Sequence, residues 1–241
     1  MNLDELTVRN GFRERGQDMT RIETFTDAAF AIAASLMVIS VSDVPTSWPQ
    51  LVVALQGIPA FALALLVMML FWYGHHIWSR RYGLDDLATI WLSGALILLV
   101  LVYVYPLKFM ANSFTTWVSG GAVSAPSTLN SVDELYALFA VYAGGFMLMS
   151  LVIATLYVHA WRQRDALRLN EVERMHTRHD ILAWSILAMF GLLSLLLAVL
   201  LTPRSMPWPG VALGGLAVVM PLFGTWSART IQRMLARHGH Q

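Results

Sequence analysis

Six apolar runs, each about long enough to cross a bilayer core as a helix, confine this chain to one fold class. They fall at roughly Thr24–Val44, Leu51–His76, Leu87–Met110, Leu135–Trp161, Ile181–Leu201 and Gly210–Ala228. The breaks between them are polar or rich in proline and glycine. They are Asp43-Val44-Pro45 with Pro49, Arg80-Arg81 with Asp85-Asp86, a Ser/Gly/Thr/Asn stretch from Asn112 to Val132, the charged connector Arg162–His179, and Thr202-Pro203-Arg204 through Pro209. Only 13% of the residues are charged, about half of what a soluble domain carries. The expectation is an all-α membrane protein with six transmembrane helices per subunit.

Charge placement gives the orientation. Fourteen of the 16 Lys and Arg residues fall in the N-terminal segment, the Arg80-Arg81 loop, the Arg162–Arg178 connector and the C-terminal segment. The remaining loops hold only Lys108 and Arg204. Basic loops stay in the cytoplasm, so both termini are expected there. The predicted layout is a cytoplasmic N-terminal segment (1–20), a six-helix domain (21–230) and a cytoplasmic tail (231–241). No apolar signal-peptide core is expected before the first span, and the location is a prokaryotic inner (cell) membrane, spanned several times. The connector Arg162–His179 reads as a solvated, charge-laced extension of the fourth helix, with anionic lipid as a second contact.

Two polar clusters sit at one depth. Arg21, Thr26 and Asp27 open the first run, and Trp72, His75 and His76 close the second. A short connection makes these helices antiparallel neighbours, so Asp27 and a histidine can meet. An unpaired carboxylate is costly at low dielectric, so a partner is expected. The cluster reads as a buried network that fixes helix packing, as a proton relay, or as both packing and the shaping of a conduction path.

Other chemistry finds little support. His75-His76 with Asp85-Asp86, and His176 with His179 and Asp180, lack a full metal-ligand spacing, and no cofactor is expected. The chain has no cysteine, which excludes disulfides and thiolate metal sites. No nucleophile elbow or phosphate loop is present, so an enzyme is not expected, and the balanced net charge of +1 gives no reason to expect nucleic acid. Along the first run Ile32, Leu36 and Ile39 fall at i, i+4 and i+7 on one stripe, with Ser35 beside it. Small residues (Ala28, Ala31, Ala33, Ala34) permit close helix approach. Pattern alone leaves this stripe as bundle or lipid contact, or as a hydrophobic constriction.

These residues resemble a known family. Arg21-x-x-x-Phe25-Thr26-Asp27 is similar to the Arg-x-x-x-Phe-Ser-Asp signature of the transmembrane protein 175 potassium channels. Trp72-x-x-His75-His76 resembles the family's Trp-x-x-His-His, Trp91-Leu92-Ser93 its Trp-Leu-Asn, and Tyr105-Pro106 the proline that ends its third helix. The resemblance covers roughly residues 20–110. It implies six spans per repeat, a homotetramer in prokaryotes, and a pore lined by the first helix of each subunit. Ile32 then forms the narrowest ring, Leu36 and Ile39 continue the apolar wall, and Ser35 stands in a layer linked to selectivity. Arg21, Phe25, Thr26, Asp27, Trp72, His75 and Ser93 form the polar network behind it. Thr26 replaces serine, Ser35 replaces threonine and Ser93 replaces asparagine.

The function implied is a potassium-permeable, leak-type channel. Its partners are further copies of itself, membrane lipid and permeating monovalent cations. The alternative is a secondary transporter or proton-coupled permease that uses Asp27 and His75, and a third class is a non-conducting scaffold.

Overall fold

A computed structural model describes residues 6–9, 11–39, 45–121, 123, 129, 131–201 and 207–238, the side chains of residues 39, 237 and 238 excepted. Among the described residues a small hairpin, β1 (Val8–Arg9) and β2 (Phe12–Arg13), precedes eight helices. These are α1 (Arg21–Ile39), α2 (Trp48–Gln56), α3 (Ile58–Tyr82), α4 (Leu87–Val118), α5 (Val132–Arg162), α6 (Glu171–Leu200), α7 (Trp208–Gly214) and α8 (Leu216–His238). Among the described residues, five stretches are long and apolar enough to cross a membrane: Trp48–Tyr82, Leu87–Val118, Val132–Arg162, Glu171–Leu200 and Trp208–Ala236. The chain is a multi-pass membrane protein. The first expected span, Thr24–Val44, is described as α1, and residues 40–44, with the break at Asp43-Val44, lie outside the described residues. So does Thr202-Pro203-Arg204.

The helix ends follow from local chemistry. Pro59 lacks an N–H and crowds the preceding turn, and α2 gives way to α3 at Gly57, two residues earlier. The second expected span is therefore two helices. Its far end carries Arg80 and Arg81 and stops at Gly83, which takes the left-handed conformation at φ 58° that favours glycine. Asp86 then caps α4, accepting from the Thr89 N–H at 2.9 Å. His159 Nε2 lies 2.8 Å from the same carboxylate, and the Gln163 amide donates to it at 2.6 Å. Partial burial pushes the Asp86 carboxyl up, but these hydrogen bonds outweigh it and hold the group at about 2.

Two expectations are corrected. Pro106 does not end the third span, because α4 continues twelve residues further to Val118. An interior proline frees a carbonyl in the preceding turn, and a buried membrane helix tolerates this when its neighbours hold it; here Val104, Leu107 and Ala111 on either side are buried in the core. Likewise the connector after α5 is not an extension of that helix. The chain turns at residues 163–168, and Asn170 starts α6. Its side chain accepts from the Glu173 N–H at 2.8 Å, while Glu173 accepts from the Asn170 N–H at 2.9 Å. This reciprocal capping box starts α6 ten residues before the expected span.

The helices pack around one core. Phe71 of α3 meets Phe146 of α5 edge-on at 5.4 Å and Trp184 of α6 at 5.9 Å. Glycine permits the tightest approach, since a Cβ at Gly74 would lie 2.2 Å from Trp184. Gly191 brings α6 against the backbone of Met147 in the same way, with a would-be Cβ 3.0 Å from its Cα. α1 packs on α3 and α4, and the Lys108 ammonium donates to the Met37 carbonyl near the end of α1 at 2.9 Å. Both described ends of the chain lie on one side of the bundle, with Gly11 packed beside Leu235 of α8.

Candidate pore helix and its polar clasp

α1 has two unlike faces. Glu23, Thr26, Ala29, Phe30, Ala33 and Met37 are buried, and recur every three or four residues against α3 and α4. Arg21, Phe25, Ala28, Ile32 and Ser35 recur at the same spacing on the opposite, exposed face. Ile32 is 56% exposed and Phe25 62%. Leu36 is half-buried at the edge of this stripe, and the Ile39 side chain lies outside the described residues. Ser35 returns its hydroxyl to the Ala31 carbonyl at 3.0 Å, which leaves its oxygen facing outward with the stripe.

The buried face is clasped by polar contacts. The Trp72 indole N–H donates to Asp27 Oδ1 at 2.9 Å. His76 stacks on Trp72, with centroids 5.2 Å apart and planes 16° apart. His75 Nε2 lies 3.0 Å from Ser93 Oγ of α4, and both side chains are buried. Thr26 is fully buried and donates to the Ile22 carbonyl at 2.8 Å. The structure thus brings Asp27 to Trp72 and His75 to Ser93. The expected meeting of Asp27 with a histidine is not a hydrogen bond here: the indole is the longer donor and occupies the carboxylate. Arg21 and Phe25 belong to the exposed face, away from this clasp.

Sequence reasoning passes over Glu23. It lies one turn before Asp27 on the same side of α1 and is 1% exposed. His76 Nδ1 stands 3.9 Å from its carboxylate and Arg80 Nε 3.6 Å. The i, i+4 spacing of Glu23 and Asp27 was the available signal.

These contacts carry a stability prediction. Asp27→Ala leaves the part-buried Trp72 indole N–H without its charged acceptor, at a cost of about 1–3 kcal/mol. His75→Ala also opens a cavity beside Ser93. Both variants should unfold at lower temperature in detergent than the parent, whereas Thr24→Ala, on the exposed side, should not. Wild-type melting of both clasp variants would show that the network holds nothing.

Residues 21–106, which span the α1–α3 clasp and Ser93, match the family described as endosomal/lysosomal potassium channel TMEM175. A curated protein of Marivirga tractuosa named "Potassium channel" is 35% identical over 195 residues, 78% of each chain. The crystal structure of a variant of the potassium channel MtTMEM175, in complex with a nanobody fusion, superposes with a TM-score of 0.76 at 29% identity, covering 96% of this chain and all of that one. A lysosomal potassium-selective channel TMEM175 homolog from Chamaesiphon minutus shares the fold, with a TM-score of 0.56 at 21% identity over 86% of this chain and 96% of its own. With 35% identity to a potassium channel over most of both chains and a likeness running the length of the bundle, the chain belongs to the TMEM175 potassium channel family.

Proposed function

We propose that this chain is the subunit of a homotetrameric, potassium-permeable, leak-type channel in a prokaryotic cell membrane. It spans the membrane six times with both termini in the cytoplasm, and α1 of each subunit lines the central path. The observation that carries this reading is the division of α1. One face is tied to α3 by the Asp27–Trp72 hydrogen bond and packs its buried residues against α3 and α4. The other presents Phe25, Ala28, Ile32 and Ser35 with no covering element among the described residues. Four such faces around an axis make an apolar ring at Ile32 and a hydroxyl ring at Ser35. An apolar ring controls passage by wetting and dewetting, and nearby oxygens offset lost hydration. Arg21, on the same face, then stands at the entrance. The relay reading for Asp27 and His75 draws less support, because these side chains are engaged by Trp72 and Ser93.

The test is electrical. Purified protein in liposomes, under opposed potassium and sodium gradients, should carry a current whose reversal potential lies on the potassium side, with no saturating, proton-coupled component. Absence of current sinks the channel reading, and flux that follows a proton gradient favours the permease.

A further inference from the structure

The N-terminal residues and α1 meet at one side chain, Arg80. Phe12 is buried, edge-on to Tyr82 at 5.5 Å and to His176 at 6.0 Å, with the Arg81 guanidinium 5.0 Å above its ring. Past this plug the chain lies as a strap along the last turn of α3. The Arg15 N–H donates to the Arg81 carbonyl at 3.4 Å, and the Gly16 N–H to the Arg80 carbonyl at 3.0 Å. No side chain fits at Gly16, where a Cβ would lie 2.4 Å from the Ser79 oxygen. The Arg80 guanidinium reaches back to the carbonyls of Gly16, at 2.6 Å, and Gln17, at 3.2 Å.

The same guanidinium faces α1. Its Nε is 3.6 Å from Glu23 Oε1. Neither Glu23 oxygen has a hydrogen bond among the described residues, and both are buried. Only residues 18–20 separate the strap from α1, whose first turn is capped by Thr20 Oγ1, accepting from the Glu23 N–H at 3.1 Å. A buried carboxylate needs a countercharge, and Arg80 supplies it from the residue that also grips the strap.

We propose that Arg80 is a positioning residue for the pore helix, coupling the N-terminal strap to the start of α1 through Glu23 and so setting how often the pore conducts. This rests on the reading of α1 as pore-lining. A helix moves as a rigid element, so a shift of its buried first turn also shifts the exposed stripe that bears Ile32. When Arg80 is lost, the Glu23 carboxylate loses its cation and the strap loses the donor that holds its carbonyls.

The experiment records single channels of the full chain in planar bilayers. Phe12→Ala loosens the plug, Glu23→Gln removes the charge on α1, and Arg80→Gln cuts the link. Each should change open probability at least about twofold while leaving the open-state conductance unchanged, and Arg80→Lys should restore part of the effect. Phe12→Ala should add nothing in an Arg80→Gln background, a non-additivity that simple destabilisation does not produce. If the effects of Phe12→Ala and Arg80→Gln multiply independently, the coupling is wrong. Should Arg80→Gln fail to fold, the pair Phe12→Ala and Glu23→Gln decides: coupled sites combine to less than the product, and independent sites multiply. Ile32→Asn, recorded alongside, separates the two claims. A change of conductance there with no change of open probability in the strap variants overturns the coupling alone, and no change at Ile32 overturns the pore reading as well.

Discussion

Replacing Ile32 by asparagine is expected to raise single-channel conductance and to move the reversal potential under opposed potassium and sodium gradients towards zero. The side chain is 56% exposed on the uncovered face of α1, so the change adds no buried polar group to the subunit's own core. In a tetramer it places four amides where there was a dry ring. Their oxygens ease wetting and replace part of an ion's hydration shell whatever the ion, so conduction rises as discrimination falls. Ile32→Phe should do the opposite and narrow or plug the ring. Val218→Asn supplies the control. Val218 is similarly exposed, on α8, which packs chiefly against α6 and α7. Recordings in which Val218→Asn matched Ile32→Asn would move the pore to another helix.

Removing the Glu173 carboxylate should give the largest loss of stability. Arg13 reaches it through Nε and a terminal nitrogen, both at 3.0 Å, and Arg15 through its two terminal nitrogens at 3.2 and 2.9 Å. Glu173 is fully buried, and the Arg15 side chain is 1% exposed. Glu173→Ala therefore strands a buried guanidinium, a change that costs about 3–5 kcal/mol, and it removes one half of the α6 capping box as well. Glu173→Gln keeps two hydrogen-bonding atoms and should lose less. Arg174→Ala breaks the solvent-facing pair with Asp165, where about 0–1 kcal/mol is at stake, and one hydrogen bond to the Leu169 carbonyl, and it strands no buried charge. Thermal melts of the three variants in detergent should rank in that order, and equal melting of Glu173→Ala and Arg174→Ala would refute the buried clasp.

The parts legible in the sequence are those where lipid imposes a rule. Apolar runs must be helices there, so helices cover the second to fifth expected spans, with α4 ending eight residues later and α6 starting ten residues earlier than expected. Asp27 was legible for a related reason: an ionisable group in such a run needs a partner, and Trp72 is that partner. Pairing was harder to foresee, because Trp72 and His75 are three residues apart on one helical side and either could have turned towards Asp27. The division of α1 into a clasped and an open face follows from three-and-four spacing, yet the pattern alone could not say which face α3 and α4 would take.

What escaped the sequence was mostly polar and short. The hairpin from Val8 to Arg13 has two-residue strands and no hydrophobic alternation to announce it. Its anchor is the single aromatic Phe12, and its ion pairs reach a glutamate 158 and 160 residues away. Glu23 escaped because Arg21 and Asp27 flank it and draw the eye, although burial falls on Glu23 and exposure on Arg21. Pro106 misled because the resemblance placed a helix end at this proline, whereas the packed surroundings of α4 carry the helix past it.

The most direct test of the central claim uses the absence of cysteine from the chain. Ile32→Cys, and in a separate protein Leu192→Cys on an exposed face of α6, would be reconstituted and exposed to a small, positively charged thiol reagent during recording. If α1 lines the path, the reagent irreversibly reduces the current through Ile32→Cys, faster when the pore is conducting, and leaves Leu192→Cys unchanged. Undiminished current through a fully modified Ile32→Cys protein would contradict the account.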